Sequence, residues 1–142
     1  MKTVRQLLQY KPGQIWSVDP DQLVYDALTE MALREVGALV VMKEDKVAGV
    51  VSERDYARKV LLKGRTARDT PVRDIMSTEV VYAHPEETVE TCMKRMTEKH
   101  IRHLPVQDKG DLVGMISIGD LVKAIISDQQ ETIEQLESYI HS

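Results

Sequence analysis

The apolar and polar positions of this chain follow a pattern that is laid down twice. In each copy a short apolar run, Ile15 to Val18 or Val80 to Ala83, meets a proline with acidic neighbours: Asp19-Pro20-Asp21, or His84-Pro85-Glu86-Glu87. Proline in a first turn, with carboxylates facing the positive end of the dipole, predicts a helix start there. Apolar residues then recur at helical spacing, as Val24, Ala27, Leu28 and Met31, and again as Val89, Cys92, Met93 and Met96. A buried-type strand follows, Ala38 to Met42 or His103 to Val106. A tight polar turn leads to a third strand, Val47 to Val51 or Leu112 to Ile116. A second helix opens at Ser52 or Ser117, with the serine as its N-cap. The order β-α-β-β-α, twice, is of the α/β (α+β) class.

Offset by 65, residues 15–62 lie on 80–127 without a gap. The pairs Pro20/Pro85, Val24/Val89, Met31/Met96, Leu39/Leu104, Val41/Val106, Gly49/Gly114, Ser52/Ser117 and Asp55/Asp120 are identical. Chance would supply roughly three such matches at ordinary composition. Apolar class is kept at Val36/Ile101, Val47/Leu112, Tyr56/Leu121 and Val60/Ile125. Each copy is too short to bury a core alone, so the two are expected to pack sheet to sheet as one body. This divides the chain into an N-terminal helix over 1–14 ended by Lys11-Pro12-Gly13, a first repeat over 15–62, a polar linker over 63–79, a second repeat over 80–127, and a C-terminal helix over 128–142. Val72 to Met76 reads as one helical turn within the linker. Ile133, Leu136 and Ile140 form an apolar stripe on the last segment, to be covered by its own domain or by a second chain.

Composition narrows the function classes. The chain has 142 residues, a net charge of -4, 4% aromatic residues with no Phe, and one cysteine. Its core must therefore be aliphatic, and an intrachain disulfide is excluded. No apolar run reaches the roughly 20 residues that span a bilayer, and the first residues lack signal-peptide character, so a cytoplasmic protein is expected. The acidic balance argues against nucleic acid; the basic run Lys63, Arg65, Arg68 and Arg73 lacks interleaved aromatics and reads as solvated. No Walker-type loop, nucleophile–base pair or pair of acids at set spacing points to catalysis, so no catalytic residue is assigned. His100 and His103 lack a third ligand at suitable spacing, and no metal site is expected. Cys92 reads as a buried small hydrophobe; Trp16 fits core or cleft wall equally.

The repeat, with its Gly-apolar-apolar-Ser-x-x-Asp ending, resembles the cystathionine-β-synthase (CBS) domain, and the pair resembles a Bateman module of the stand-alone bacterial kind. Ser52-Glu53-Arg54-Asp55, Ile101-Arg102-His103-Leu104-Pro105-Val106 and Ser117-Ile118-Gly119-Asp120 carry the likeness. It implies a non-catalytic regulatory module, needing no obligatory cofactor, that binds an adenylate between its repeats: AMP first, or ADP, ATP, NAD or S-adenosylmethionine. Asp55, Asp120, Ser52 and Ser117 would hold the ribose. Arg102, His103, Arg54 and Arg58 would face phosphate. Val18, Ala83, Gly37, Ala38 and Ile101 would contact adenine. A homodimer and an unidentified regulated protein are the implied partners; an architectural module with no physiological ligand is the alternative.

The residue chemistry fits these roles. A carboxylate accepts both hydrogen bonds of a cis-diol, the start of a helix favours anions, and a guanidinium presents a fork of donors to phosphate. Plain helix capping is the competing role for Ser-x-x-Asp, and Arg58 could pair with surface acids. The copies differ: Arg54 and Arg58 flank Asp55, whereas Gly119 and Lys123 flank Asp120, and Arg102-His103 aligns with Gly37-Ala38. This leaves two unlike sites, or one good site and one degenerate.

Overall fold

A computed structural model describes residues 2–10 and 15–141, which form two compact units. One unit holds Ile15–Val80; the other holds Met1–Gln14 with Val81–Ser142. The turn expected at Lys11-Pro12-Gly13 lies outside the described residues.

In the Ile15–Val80 unit, strand β1 (Ser17–Val18) runs parallel to β2 (Ala38–Lys43), which pairs antiparallel with β3 (Lys46–Ser52); helix α2 (Val24–Arg34) links β1 to β2, and α3 (Glu53–Lys59) follows β3. Helix α1 (Val4–Gln9) belongs to the other unit, where α4 (Val89–Lys99), β4 (His103–Asp108), β5 (Asp111–Ser117) and α5 (Ile118–His141) repeat the order. There the first strand shrinks to one parallel bridge, Ala83 to Val106. Both hairpins turn on two residues with positive φ, Glu44-Asp45 and Lys109-Gly110, the backbone that matches strand twist. Each bears a bulge at the same register, after Val41 and after Val106.

The cores are aliphatic, as the composition requires. Leu39, Val41, Val51, Met31 and Val60 pack together in the first repeat. Leu104, Val106, Ile116, Met96 and Leu121 do so in the second. Trp16 sits at the core edge with the Arg34 guanidinium 3.8 Å from its ring centre.

Two expectations need correction. Helices α2 and α4 begin at Val24 and Val89, four residues beyond the prolines. Asp19 Oδ1 instead accepts from Asp21 N at 2.8 Å, and Asp19 O accepts from Gln22 N at 3.1 Å. That local turn outcompetes helix at Pro20. Secondly, β1 is two residues long, not four. The second helices differ from one another: α3 ends at Lys59 and gives way to a 3-10 turn closed by Gly64 in left-handed conformation, whereas α5 runs unbroken for 24 residues.

A second internal repeat lies outside the 65-residue register. Val4-Arg5 and Val72-Arg73, offset by 68, dock in the same way. Val4 N donates to Glu87 O at 2.9 Å and Arg5 N to Pro85 O at 2.9 Å. Val72 N donates to Gln22 O at 2.8 Å and Arg73 N to Pro20 O at 2.9 Å. Arg5 then reaches Glu86 at 2.6 Å, and Arg73 reaches Asp21 at 2.9 Å. Those two acids hold an arginine rather than a helix end. Val4, Leu7, Val72 and Ile75 are all buried, so the segment around Val72 is a core element of its unit.

Glu87 and Arg95 brace the second repeat. Arg95 donates to Tyr82 O at 2.9 Å and grips both oxygens of Glu87. These bonds hold the Glu87 carboxyl below the usual carboxylate range. Because the folded pKa is depressed, the contribution is present above the unfolded value and lost as pH falls through the folded one. Arg95→Met is therefore expected to cost about 1–2 kcal/mol at pH 7. The gap from the unaltered chain should narrow as pH falls below about 4, where Glu87 takes up a proton, leaving the share of the bond to Tyr82 O. Urea unfolding of both at pH 7, 5 and 3 checks this; an equal gap at all three would refute the role given to Glu87.

Candidate functional site

Each unit ends its hairpin in the same polar knot. Ser52 closes β3 and caps α3: its Oγ accepts from Asp55 N at 3.2 Å, and Asp55 Oδ2 accepts from Ser52 N at 2.8 Å and from Ser52 Oγ at 3.0 Å. Ser117 repeats this at the start of α5, with Oγ accepting from Asp120 N at 3.1 Å and Asp120 Oδ2 accepting from Ser117 N at 2.8 Å. These are reciprocal capping boxes. Glu53 N donates to Gly37 O at 3.0 Å and Ile118 N to Arg102 O at 2.9 Å. The first and third backbone donors of both helices are thus already used, which leaves less for an anion than the serine position alone suggests.

The first knot also holds a lysine. Lys59 Nζ lies 3.3 Å from Asp55 Oδ1 and donates to Ile75 O at 2.9 Å. Ala124 occupies the matching position on α5. Asp55 therefore carries a lysine from its own helix, at a position where the second repeat has alanine. Both aspartates are partly buried, and Arg54, Arg58 and Arg102 are exposed.

Gly37, Ala38, Arg102 and His103 lie at this end of their own hairpins, whereas Val18 and Ala83 lie further along, beside Val41 and Val106. Gly37 and Ala38 lead into β2 beside Ser52, Ala38 pairing with Ser52 across the sheet. Arg102 and His103 lead into β4, His103 pairing with Ser117. Val18, Ala38 and Ala83 have their side chains in the core, and Ile101 packs against it. Ala83 N donates to Pro105 O at 2.9 Å, and its carbonyl accepts from Gln107 N at 3.0 Å. A ligand at these positions would meet backbone and the edges of small side chains.

A hollow of about 310 Å³ in the first unit is lined by Leu28, Met31, Ala32, Glu35, Val36, Gly37 and Glu53. Only Gly37 stands out in the sequence as a binding residue. Two carboxylates on an apolar floor suit phosphate poorly. Glu35 enters this rim because it ends α2 in left-handed conformation, as His100 ends α4. His100 is thus a helix-ending residue. Among the described residues no group of three His, Cys, Asp or Glu side chains could hold a metal. Cys92 is buried and its thiol is pushed up to about 11 by desolvation, which makes it inert. No described helix is long and apolar enough to cross a membrane.

The CBS-domain family model matches residues 11–62 and 72–127. This chain belongs to the CBS-domain family. It is 44% identical to the mitochondrial CBS domain-containing protein CBSX3 of Arabidopsis thaliana over 84% of its own length, and spans 61% of that protein. A solved structure of a protein with CBS domains from Burkholderia ambifaria is 49% identical, with a TM-score of 0.88, covering 90% of this chain and 96% of that one. A CBS domain pair solved with 5′-methylthioadenosine and S-adenosyl-L-methionine shares the fold, with a TM-score of 0.79 at 19% identity, covering 90% of this chain and 98% of that one. The α/β architecture of two CBS repeats with short flanking helical segments is that of the family. The second match opens at residue 72, where the Val72-Arg73 segment begins.

Proposed function

We propose that this CBS-domain protein is a non-catalytic regulatory module that binds AMP or a related adenylate and passes its presence to a partner protein. The observation that carries this reading is the recurrence, in both units, of a serine–aspartate knot where a hairpin ends and a helix begins. A partly buried carboxylate there can accept from both hydroxyls of a ribose. Support comes from the CBS domain pair solved with two ligands that both contain adenosine. The second repeat brings more donors for phosphate: Arg102 and His103 lead into β4, where His103 pairs with Ser117, whereas the matching positions of the first repeat are Gly37 and Ala38. In this reading, Asp55, Ser52, Arg54 and Arg58 form a weaker counterpart. Binding shifts the population of conformations by the difference in affinity between them, and that difference is the signal.

Calorimetry with AMP, ATP, NAD and S-adenosylmethionine tests the reading, with Asp120→Asn as the discriminating variant. Asparagine keeps one acceptor for Ser117 N but loses the charge and an oxygen that ribose needs. A 10- to 100-fold weaker affinity is expected, about 1.5–3 kcal/mol for hydrogen bonds to a charged group. Unchanged affinity in a variant that melts normally would remove Asp120 from the site. Failure of all four ligands to bind below millimolar would leave an architectural module.

A further inference from the structure

Helix α3 ends in a turn that the second repeat does not have. Val60, fully buried, anchors its base. The Val60 carbonyl accepts from Lys63 N at 3.2 Å and from Arg65 N at 2.9 Å, and Leu61 O accepts from Gly64 N at 3.3 Å. Leu61, Leu62 and Lys63 are thereby held at the tip of a tied turn, and both leucines face water, 59% and 77% exposed. At the aligned positions the second repeat has Ile126, Ser127 and Asp128 within unbroken helix. The fold therefore requires neither the leucine pair nor the cation that follows it.

The charge around the tip is opposite to that of the chain. Residues 54–68 hold Arg54, Arg58, Lys59, Lys63, Arg65 and Arg68 against one acid, Asp55, in a protein of net charge -4. All six cations are exposed. Lys59 lies beside Asp55 and Arg65 is paired with Asp74. Arg58 and Lys63, on either side of the leucines, hold no acid among the described residues.

Size and charge together say what this surface fits. Two adjacent leucines are too little for the core of a protein interface, which takes roughly 800 Å² from each partner and is depleted in charge. A single-stranded nucleic acid would stack on aromatic rings, and residues 61–65 include none. An apolar tip flanked by cations matches the boundary of an anionic bilayer, where leucines enter the acyl edge and lysine and arginine stay at the headgroups. The hydrogen bonds of the turn hold that shape beforehand, which lowers the ordering cost of binding.

We propose that the Leu61–Leu62 turn is a peripheral contact for anionic lipid, its leucines inserted at the headgroup–acyl boundary with Lys63 and the neighbouring cations at the headgroups. A single turn of this kind gives weak, reversible and salt-sensitive binding. The proposal needs no nucleotide and stands or falls separately from the adenylate reading.

Co-sedimentation of the full chain with vesicles of phosphatidylcholine, alone or mixed about 3:1 with phosphatidylserine, tests it. Because the chain as a whole is acidic, it has no general attraction to the mixed vesicles. Binding to the mixed vesicles alone is expected, falling as salt is raised. Leu62→Asp, at an exposed position that leaves the urea midpoint unchanged, should weaken it about 10-fold or more, and Lys63→Glu about 5-fold or more. Leu62→Cys carrying an environment-sensitive fluorophore should shift to the blue on the mixed vesicles. The same label on Gln135→Cys, exposed on α5, should not, with buried Cys92 silent. No binding to the mixed vesicles, binding unmoved by Leu62→Asp, or equal shifts at 62 and 135 would each overturn the proposal. So would equally strong, Leu62-dependent binding to soluble polyglutamate, which would make the partner an acidic protein.

Discussion

Ile75→Ala is expected to destabilise the chain by about 2–5 kcal/mol, the cost of truncating a fully buried aliphatic side chain. Composition gives no warning of this, since the residue lies in a polar stretch between the two repeats. Yet Ile75 is 1% exposed and packs in the same core as Leu39 and Val51. Its carbonyl also accepts from Lys59. The deleted methylenes leave a void that Val72 and Val60 cannot collapse into without breaking the backbone bonds of Val72 and Arg73. Leu62→Ala is the control: that leucine, 77% exposed, should change stability by less than about 0.5 kcal/mol. Urea midpoints of the two variants decide the matter. Equal midpoints would mean that residues 72–77 are a tether and not part of the core.

Gly49→Val is expected to cost about 3 kcal/mol or more, at the top of the range for overpacking. A Cβ at Gly49 would stand 2.5 Å from Ser77 O. That oxygen is backbone and is held by Val50 N at 3.0 Å, while Ser77 N donates to Val50 O at 2.9 Å, so it cannot turn aside. Relief requires the Met76-Ser77 segment to lift from β3. Hydrogen exchange should therefore show the Val50 and Ser77 amides losing protection before the rest of the sheet. The aligned Gly114 gives a contrast. Its added Cβ would meet Leu8 Cδ2 at 2.8 Å, the far end of a side chain that can rotate. Gly114→Ala should then be the milder change, and if it proved as damaging as Gly49→Val, the steric account would fail.

These two positions also mark where sequence reading succeeds and where it stops. Gly49 and Gly114 are identical in the 65-residue register, and the hairpins, helix faces and Ser-x-x-Asp ends around them follow from periodicity. The elements docked on them are not legible that way. Leu8 and Met76 are related by an offset of 68, because the chain between docking segment and repeat is three residues longer before the first repeat than before the second. An ungapped comparison misses such a match. The helix starts lie beyond the prolines for a related reason. Proline and acids are good generic first-turn residues, but Asp19 finds nearer backbone donors, and Asp21 and Glu86 find arginines from a distant part of the chain. Of the site, the serines and aspartates are legible because they recur. Lys59 is not: its contact with Asp55 depends on α3 and on the carbonyl of Ile75, and the other copy has alanine in its place.

That asymmetry leads back to ligand binding. A ligand that binds only the folded chain stabilises it by mass action, by about 2.7 kcal/mol at one hundred times its dissociation constant. Native mass spectrometry of the purified chain with AMP and with 2′,3′-dideoxy-AMP is the most direct measurement. The account predicts an AMP adduct, lost or strongly reduced without the ribose hydroxyls and reduced by Asp120→Asn. Equal adducts for both nucleotides, or none for either, would contradict it.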